Sequence, residues 1–458
     1  MTTHCSSQFF GWSRRAMCLT ALAATIAIPS AVWAFGGFRQ SVGGIHIDPR
    51  GAVSNAERDQ LGRLREMRIK EFLPVPGELN QPARLRKISL RSLNEAIGEC
   101  LRTEKPLPDE IKYLAGLQRV EYVFVYPEEN DIVLAGYGEG WQVDVRGNMV
   151  GVTTGRPVLL LDDLLVALRT AEHAARGGIT CSIDPTKEGL ARLQDGTVNL
   201  AALGSNPKQV AAEIERQLGP QTVTITGVPG DSHFARVLLA ADFRMKRLGM
   251  GFEPSPVRGL PSYLQLLKRN SKTTAQNMLP RWWLTTDYDP LLTDGEGLAW
   301  QLRGRGVKAM TEDDFVTAQG DRQRTGKASP QAQKWADAMT ERYDALSVKE
   351  PIFGELRNCM DLAVVGALIV KERLAARAGL SLGALLDFNQ LPTDEYMTPK
   401  QIATQANFVE TRTNYIISAS GGVAIDSWAA AARNETSETL APLRGQVAEA
   451  RQKNWWWN

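Results

Sequence analysis

Short apolar runs separated by polar turns mark the middle of the chain. "VEYVFVYP" (120–127), "DIVLAGYG" (131–138) and "GWQVDVRG" (140–147) predict three strands of an antiparallel meander. Strict alternation in "ITCSID" (179–184) and "QTVTITGV" (221–228) predicts two more. In the first of these, Ile179, Cys181 and Ile183 share one face, so Cys181 is expected in the core as an inert thiol. "RWWLTTDYDPLL" and "LAWQLRGRGVKAMTEDDF" predict strands around a turn, with at least one of Trp282 and Trp283 facing the core.

Other stretches keep helical spacing. Leu90, Leu93, Ile97 and Leu101 fall on one side of a helix over 88–101. Helices are also predicted over 57–73, 161–175, 206–218 and 230–249. The last of these places Phe234, Val237, Leu238, Ala241, Met245 and Leu248 on one face. The polar, basic stretch "GDRQRTGKASPQ" (320–331) reads as a linker, and the chain beyond it is mostly helical. The expected fold is α+β, an antiparallel or mixed sheet with packed helices followed by a helix-rich C-terminal part. The expected division is a leader over 1–34, a mainly helical segment over 35–119, an α+β core over 120–325 and a helical region over 326–458.

The first residues set the compartment. Arg14 and Arg15 precede the uncharged run "AMCLTALAATIAI", and Val32 and Ala34 fit the positions before a cut. This is the layout of an export signal cleaved after Ala34, and the run is too short for an ordinary membrane span. "SRRAMCL" is similar to a twin-arginine leader, with Met17 where phenylalanine is usual. An ordinary Sec leader fits equally well, and the two remain open. Losing a leader with two arginines and no acid takes the 53 basic residues to 51, level with the 51 acidic ones. A neutral chain whose basic stretches lack interleaved aromatics speaks against nucleic acid as a partner. The expected localisation is exported, periplasmic or secreted, with an envelope protein or polysaccharide as partner and no membrane span in the mature chain. Cys100, Cys181 and Cys359 remain after cleavage, without a CxxC, so neither a disulfide scaffold nor a zinc ribbon is expected. No cofactor and no metal are expected.

The chemistry on offer is sparse. "GGITCSID" has echoes in "GGIHID" and "GGVAID", which suits strand punctuation: glycines for the bend, aspartate to end the strand and cap the next turn or helix. Asp184, before Pro185, is accordingly expected to cap a helix, with a metal site shared with Asp48 and Asp426 as its alternative. Gly230-Asp231-Ser232 comes after a strand and opens a helix, as in the nucleophile block of GDSL hydrolases. That family takes its base from a later histidine, and the chain has none beyond His233. Asp231, Ser232 and His233 therefore stand as weak catalytic candidates beside a helix-capping role. Asp287 and Asp289, in "DYDPLLTDGEG", complete the candidate set for a carboxylate-based hydrolase. The calcium-loop spacing there is broken by Leu291 and Leu298, so a solvated turn is expected. Trp282 or Trp283 could serve a carbohydrate-binding module, and Trp455, Trp456 and Trp457 could dock a groove or surface.

"DDLLVALRTA", "GGITCSIDPTKEGL", "DSHFARVLLAADFRMKRLGMGFEPSPVRGLPSYL", "PRWWL" and "LRNCMDLAVVGALI" together give a resemblance over roughly 100–370. The chain resembles a family of predicted exported bacterial proteins defined only as a domain of unknown function. The resemblance implies export and a shared fold, and it carries no reaction, cofactor or site residue. The resulting expectation is an exported, non-catalytic binding or structural protein of the bacterial envelope. A hydrolase with an unfamiliar site and a carbohydrate-binding module are the alternatives.

Overall fold

A computed structural model of the protein describes residues 41–48, 51–55, 75–195, 206–268, 278–409 and 415–450. The leader with its cut after Ala34, the helix predicted over 57–73 and the terminal tryptophans 455–457 lie outside these residues. The architecture is α+β, built on two larger sheets. The first six-stranded sheet uses β1 (Ala83–Ser89), β2 (Tyr122–Tyr126) and β3 (Asp131–Gly138). The second, seven-stranded sheet begins with β4 (Ile179–Asp184), β5 (Gln221–Thr226) and β6 (Met278–Asp287). The short β7 (Leu291–Thr293) and β8 (Ala299–Gln301) return to the first sheet. Then β9 (Gly306–Val316), β10 (Arg322–Arg324), β11 (Gln401–Ile402) and β12 (Ser420–Ile425) complete the second, and β13 (Asn434–Thr436) completes the first.

The strand orders are β13-β7-β8-β2-β3-β1 and β10-β9-β6-β12-β4-β5-β11. Pairing is antiparallel except for β6 with β12 and β7 with β13. The stretch 320–331 is more ordered than a linker: Arg322–Arg324 extends the sheet beside β9, and Ser329 caps the next helix. Chain from both sides of it enters the seven-stranded sheet, because β12 lies between β6 and β4. Two glycines permit that insertion. Gly421 has φ +107°, and a Cβ there would collide with the Trp282 carbonyl oxygen. A Cβ at Gly422 would collide with the Cys181 carbonyl.

The main helices are α1 (Leu90–Arg102), α2 (Leu161–Ala174), α3 (His233–Gly249), α4 (Pro330–Glu341), α5 (Pro351–Lys371) and α6 (Leu440–Glu449). The strand β1 takes residues 83–89, so α1 begins at Leu90, and Ser89 caps it by accepting from the Ser92 amide. The C-terminal stretch expected to be mostly helical also carries strands, among them β13 just before α6.

Alternation decides which side of the seven-stranded sheet carries the helices. Ile179, Cys181, Ile183, Trp282, Leu284 and Val423 are buried on one face, where α3 packs. Trp282 sits between Tyr263 and Trp335, with ring centroids 5.4 and 4.4 Å away. Helix α5 is buried almost all round. That explains its continuous apolar run, which serves the core: among the described residues no helix is long and apolar enough to cross a membrane. Cys100, Cys181 and Cys359 are all free thiols.

Candidate functional site

A group of buried titratable side chains lies where α2, α3 and α5 meet. Its anchor is the start of α3. Ser232 is the N-cap: its Oγ accepts from the Ala235 amide at 3.1 Å and donates to the Pro229 carbonyl at 2.7 Å. With both roles taken and the side chain buried, Ser232 is a helix cap. His233, the first residue of the helix, turns inward. Its Nδ1 lies 3.0 and 3.1 Å from the two carboxylate oxygens of Asp163, in the first turn of α2.

Helix α5 adds two side chains one turn apart, Glu355 and Cys359. Glu355 Oε2 is buried without a hydrogen-bond partner among the described residues. The Cys359 thiol is in hydrogen-bonding reach of Asp163. An extended segment after residue 391 covers the group. The Tyr396 ring meets His233 edge-on at 5.5 Å, and the Arg236 guanidinium lies over Tyr396 at 5.5 Å. The Asp394 amide donates to Asp162 at 3.2 Å, and the Tyr396 amide donates to the Asp231 carbonyl at 2.6 Å.

Burial and mutual charge set the protonation states. Burial alone would lower the His233 pKa, but the Asp163 carboxylate more than offsets it and raises the value to about 9. His233 is therefore an imidazolium at neutral pH, a donor with no basic nitrogen to offer. Burial pushes Glu355 up to about 8, against the pull of His233. Burial, then the neighbouring Asp394 charge, raises Asp162 to about 6. Burial and the carboxylates beside it hold the Cys359 thiol well above the ordinary range, so no thiolate forms there. The group is a charge-paired brace between three helices.

The other sequence candidates are held elsewhere, each by its own neighbours. Asp231 is exposed and contributes its backbone carbonyl. Asp287 pairs with Lys308 at 3.7 Å and Arg305 at 4.0 Å at the end of the β6–β9 ladder. Asp289 is exposed, its amide donating to the Arg303 carbonyl at 3.1 Å. Asp294 shapes the tight turn after β7, accepting from the Leu298 amide at 2.7 Å. Asp184 does not cap a helix; Thr186 takes that position, accepting from the Gly189 amide. Asp184 instead accepts from Arg322 at 2.9 Å and from the Gly421 amide at 3.2 Å, tying β4 to β12 and β10. Of the three aspartates in the Gly-Gly motifs, Asp426 is the one that caps a helix, accepting from the Ala429 amide. Among the described residues no group of three His, Cys, Asp or Glu side chains is placed to hold a metal ion.

Of this site, the sequence alone singled out Ser232 and His233. Asp162, Asp163 and Glu355 carried a weaker signal: acids inside strongly apolar helices need buried partners. Tyr396 and Asp394, in a stretch without periodicity, gave none.

The fold and the site thus define an α+β protein with a buried His233–Asp163 pair joining two helices. Residues 181–263 match the model of a family described as a protein of unknown function (DUF1598). The match runs from Cys181 in β4 to Tyr263 and includes Ser232 and His233, while Asp163, Glu355 and Tyr396 lie outside it. No curated protein and no solved structure matches the chain.

Proposed function

We propose that this chain is an exported, non-catalytic binding or structural protein of the bacterial envelope. The export part rests on the leader pattern, Arg14-Arg15 followed by an uncharged apolar run and small residues up to Ala34. One observation carries the non-catalytic part: the two candidates at the start of α3 already have structural work. Ser232 caps a helix, and His233 is held as an imidazolium against Asp163. The periplasmic fraction should contain a chain beginning at Phe35, read by N-terminal sequencing. The purified mature protein should turn over no substrate of a broad ester, glycoside and peptide panel. Turnover abolished by Asp231→Ala, Asp287→Ala or Asp289→Ala would replace this reading with a hydrolase.

A carbohydrate ligand is favoured as a second reading by Trp283. It lies on the sheet face opposite α3, in a cross-strand row with Met310, Gly422, Ser182 and Thr224. The next row carries Thr285, Thr180 and Thr226, the last two with hydroxyls 2.8 Å apart. An indole beside rows of hydroxyls suits the apolar face and hydroxyl rim of a sugar.

A further inference from the structure

The segment that covers His233 is fastened in two different ways. At its base, Arg169 of α2 donates to the carbonyls of Ala384, Leu385, Asp387 and Leu391, with the Phe388 ring 4.5 Å from its guanidinium. These bonds need no titrating carboxylate on the strap. Residues 392–399 beyond it have no regular secondary structure, and Met397 is 70% exposed. What holds this part down is the pair of amide bonds to Asp162 and the Asp231 carbonyl, with Tyr396 wedged between His233 and Arg236. The acceptor of the first bond is a carboxyl that has Asp394 on one side and Asp163 on the other.

We propose that residues 386–398 form a strap over the His233–Asp163 pair that closes more tightly in mildly acidic than in neutral solution, with Asp162 as its sensor. Two carboxylates meet where the strap lands, Asp162 from α2 and Asp394 from the strap. Protonating Asp162 removes their repulsion and the cost of burying a charge, and its carbonyl oxygen still accepts from the Asp394 amide.

The neighbouring groups leave this sign intact. From α3, His233 stays charged well above neutrality, and Arg236 stays charged throughout. From α5, Glu355 faces His233, Asp163 and Asp144 and titrates above the relevant range. Arg169 of α2 faces Asp162 and Asp387. Because Asp162 is raised to about 6, the closed strap holds a proton that an open one would release. Closure is therefore strongest below the ordinary carboxylate range and weakens as pH rises through about 6.

Hydrogen exchange of the full chain, read on peptides covering 392–398 and corrected for intrinsic rates, tests the strap. Protection should be about tenfold greater at about pH 5 than at about pH 7. Asp162→Asn should abolish the difference. Equal protection at both pH values, or an undiminished difference in Asp162→Asn, would overturn the proposal. Should that variant not fold, Asp394→Asn on the exposed strap decides: the difference should shrink, and full retention overturns the idea.

Discussion

His233 and Asp163 hold opposite charges in a place from which water is largely excluded, and each is tolerable because of the other. Replacing His233 by Gln leaves Asp163 buried beside Cys359 and Glu355, a loss of about 3 kcal/mol in urea unfolding near neutral pH. The pH profile is the sharper readout. The raised His233 pKa contributes stability that is complete below its unfolded value and lost as pH rises through about 9. Glu355 acts with the same sign: its neutral form is favoured in the fold, so its stability is lost as pH rises through about 8. The melting temperature of the native protein should fall steadily from about pH 5 to about pH 9. His233→Gln should flatten the upper part of that slope, and an unchanged slope would show that the imidazole is not charged in the fold.

Strand β6 shows what period two reveals and what it hides. The alternation of "RWWLTTD" was enough to expect at least one tryptophan inward, and Trp282 is the one that is buried. The same period in β4 put Cys181 in the core, where it is 1% exposed. Local spacing likewise placed α2 and α3 to within a few residues. Pairing between strands was not legible, because a strand's own residues fix its faces and leave its neighbours open. Thus "GGVAID" showed a strand's punctuation but not its place, and Ser420–Ile425 lies inside the larger sheet. The polar site failed for the same reason: His233 was visible, but its partner is seventy residues away on another element. The two faces of β6 give a test of the carbohydrate reading. Trp282→Ala should cost roughly 3–5 kcal/mol, since it empties the space between Tyr263 and Trp335. Trp283→Ala should leave the melting temperature nearly unchanged. If the outer face binds a neutral glycan, the same change should remove the retardation of the protein in gels containing laminarin or dextran. Retardation that survives Trp283→Ala would place any glycan contact elsewhere.

At the scale of the molecule, long-range pairs close the structure. Arg119, just before β2, donates to both oxygens of Asp361 on α5 at 2.8 and 2.9 Å, and Tyr288 donates to the same carboxylate at 2.6 Å. The described residues accordingly form one compact unit. A chain ending shortly before Ser420 would keep most of its sequence yet lose the strand that joins β6 to β4. That truncation should abolish the cooperative thermal transition and the near-ultraviolet circular dichroism of the full chain. A truncated chain that still melts cooperatively would show that the two halves of the sheet are independent.

The place of β12 also has a consequence in time. Synthesis runs from the N-terminus, so β6 and β4 are both made long before the strand that separates them. Until Gly421 and its neighbours emerge, each has an unpaired row of amides and carbonyls, with nothing native to fill the gap. The two edges are free to pair with each other out of register or with another nascent chain. Whatever escorts this polypeptide must shield those edges until β12 is made, and the native sheet closes only when one of its last strands slides into the middle.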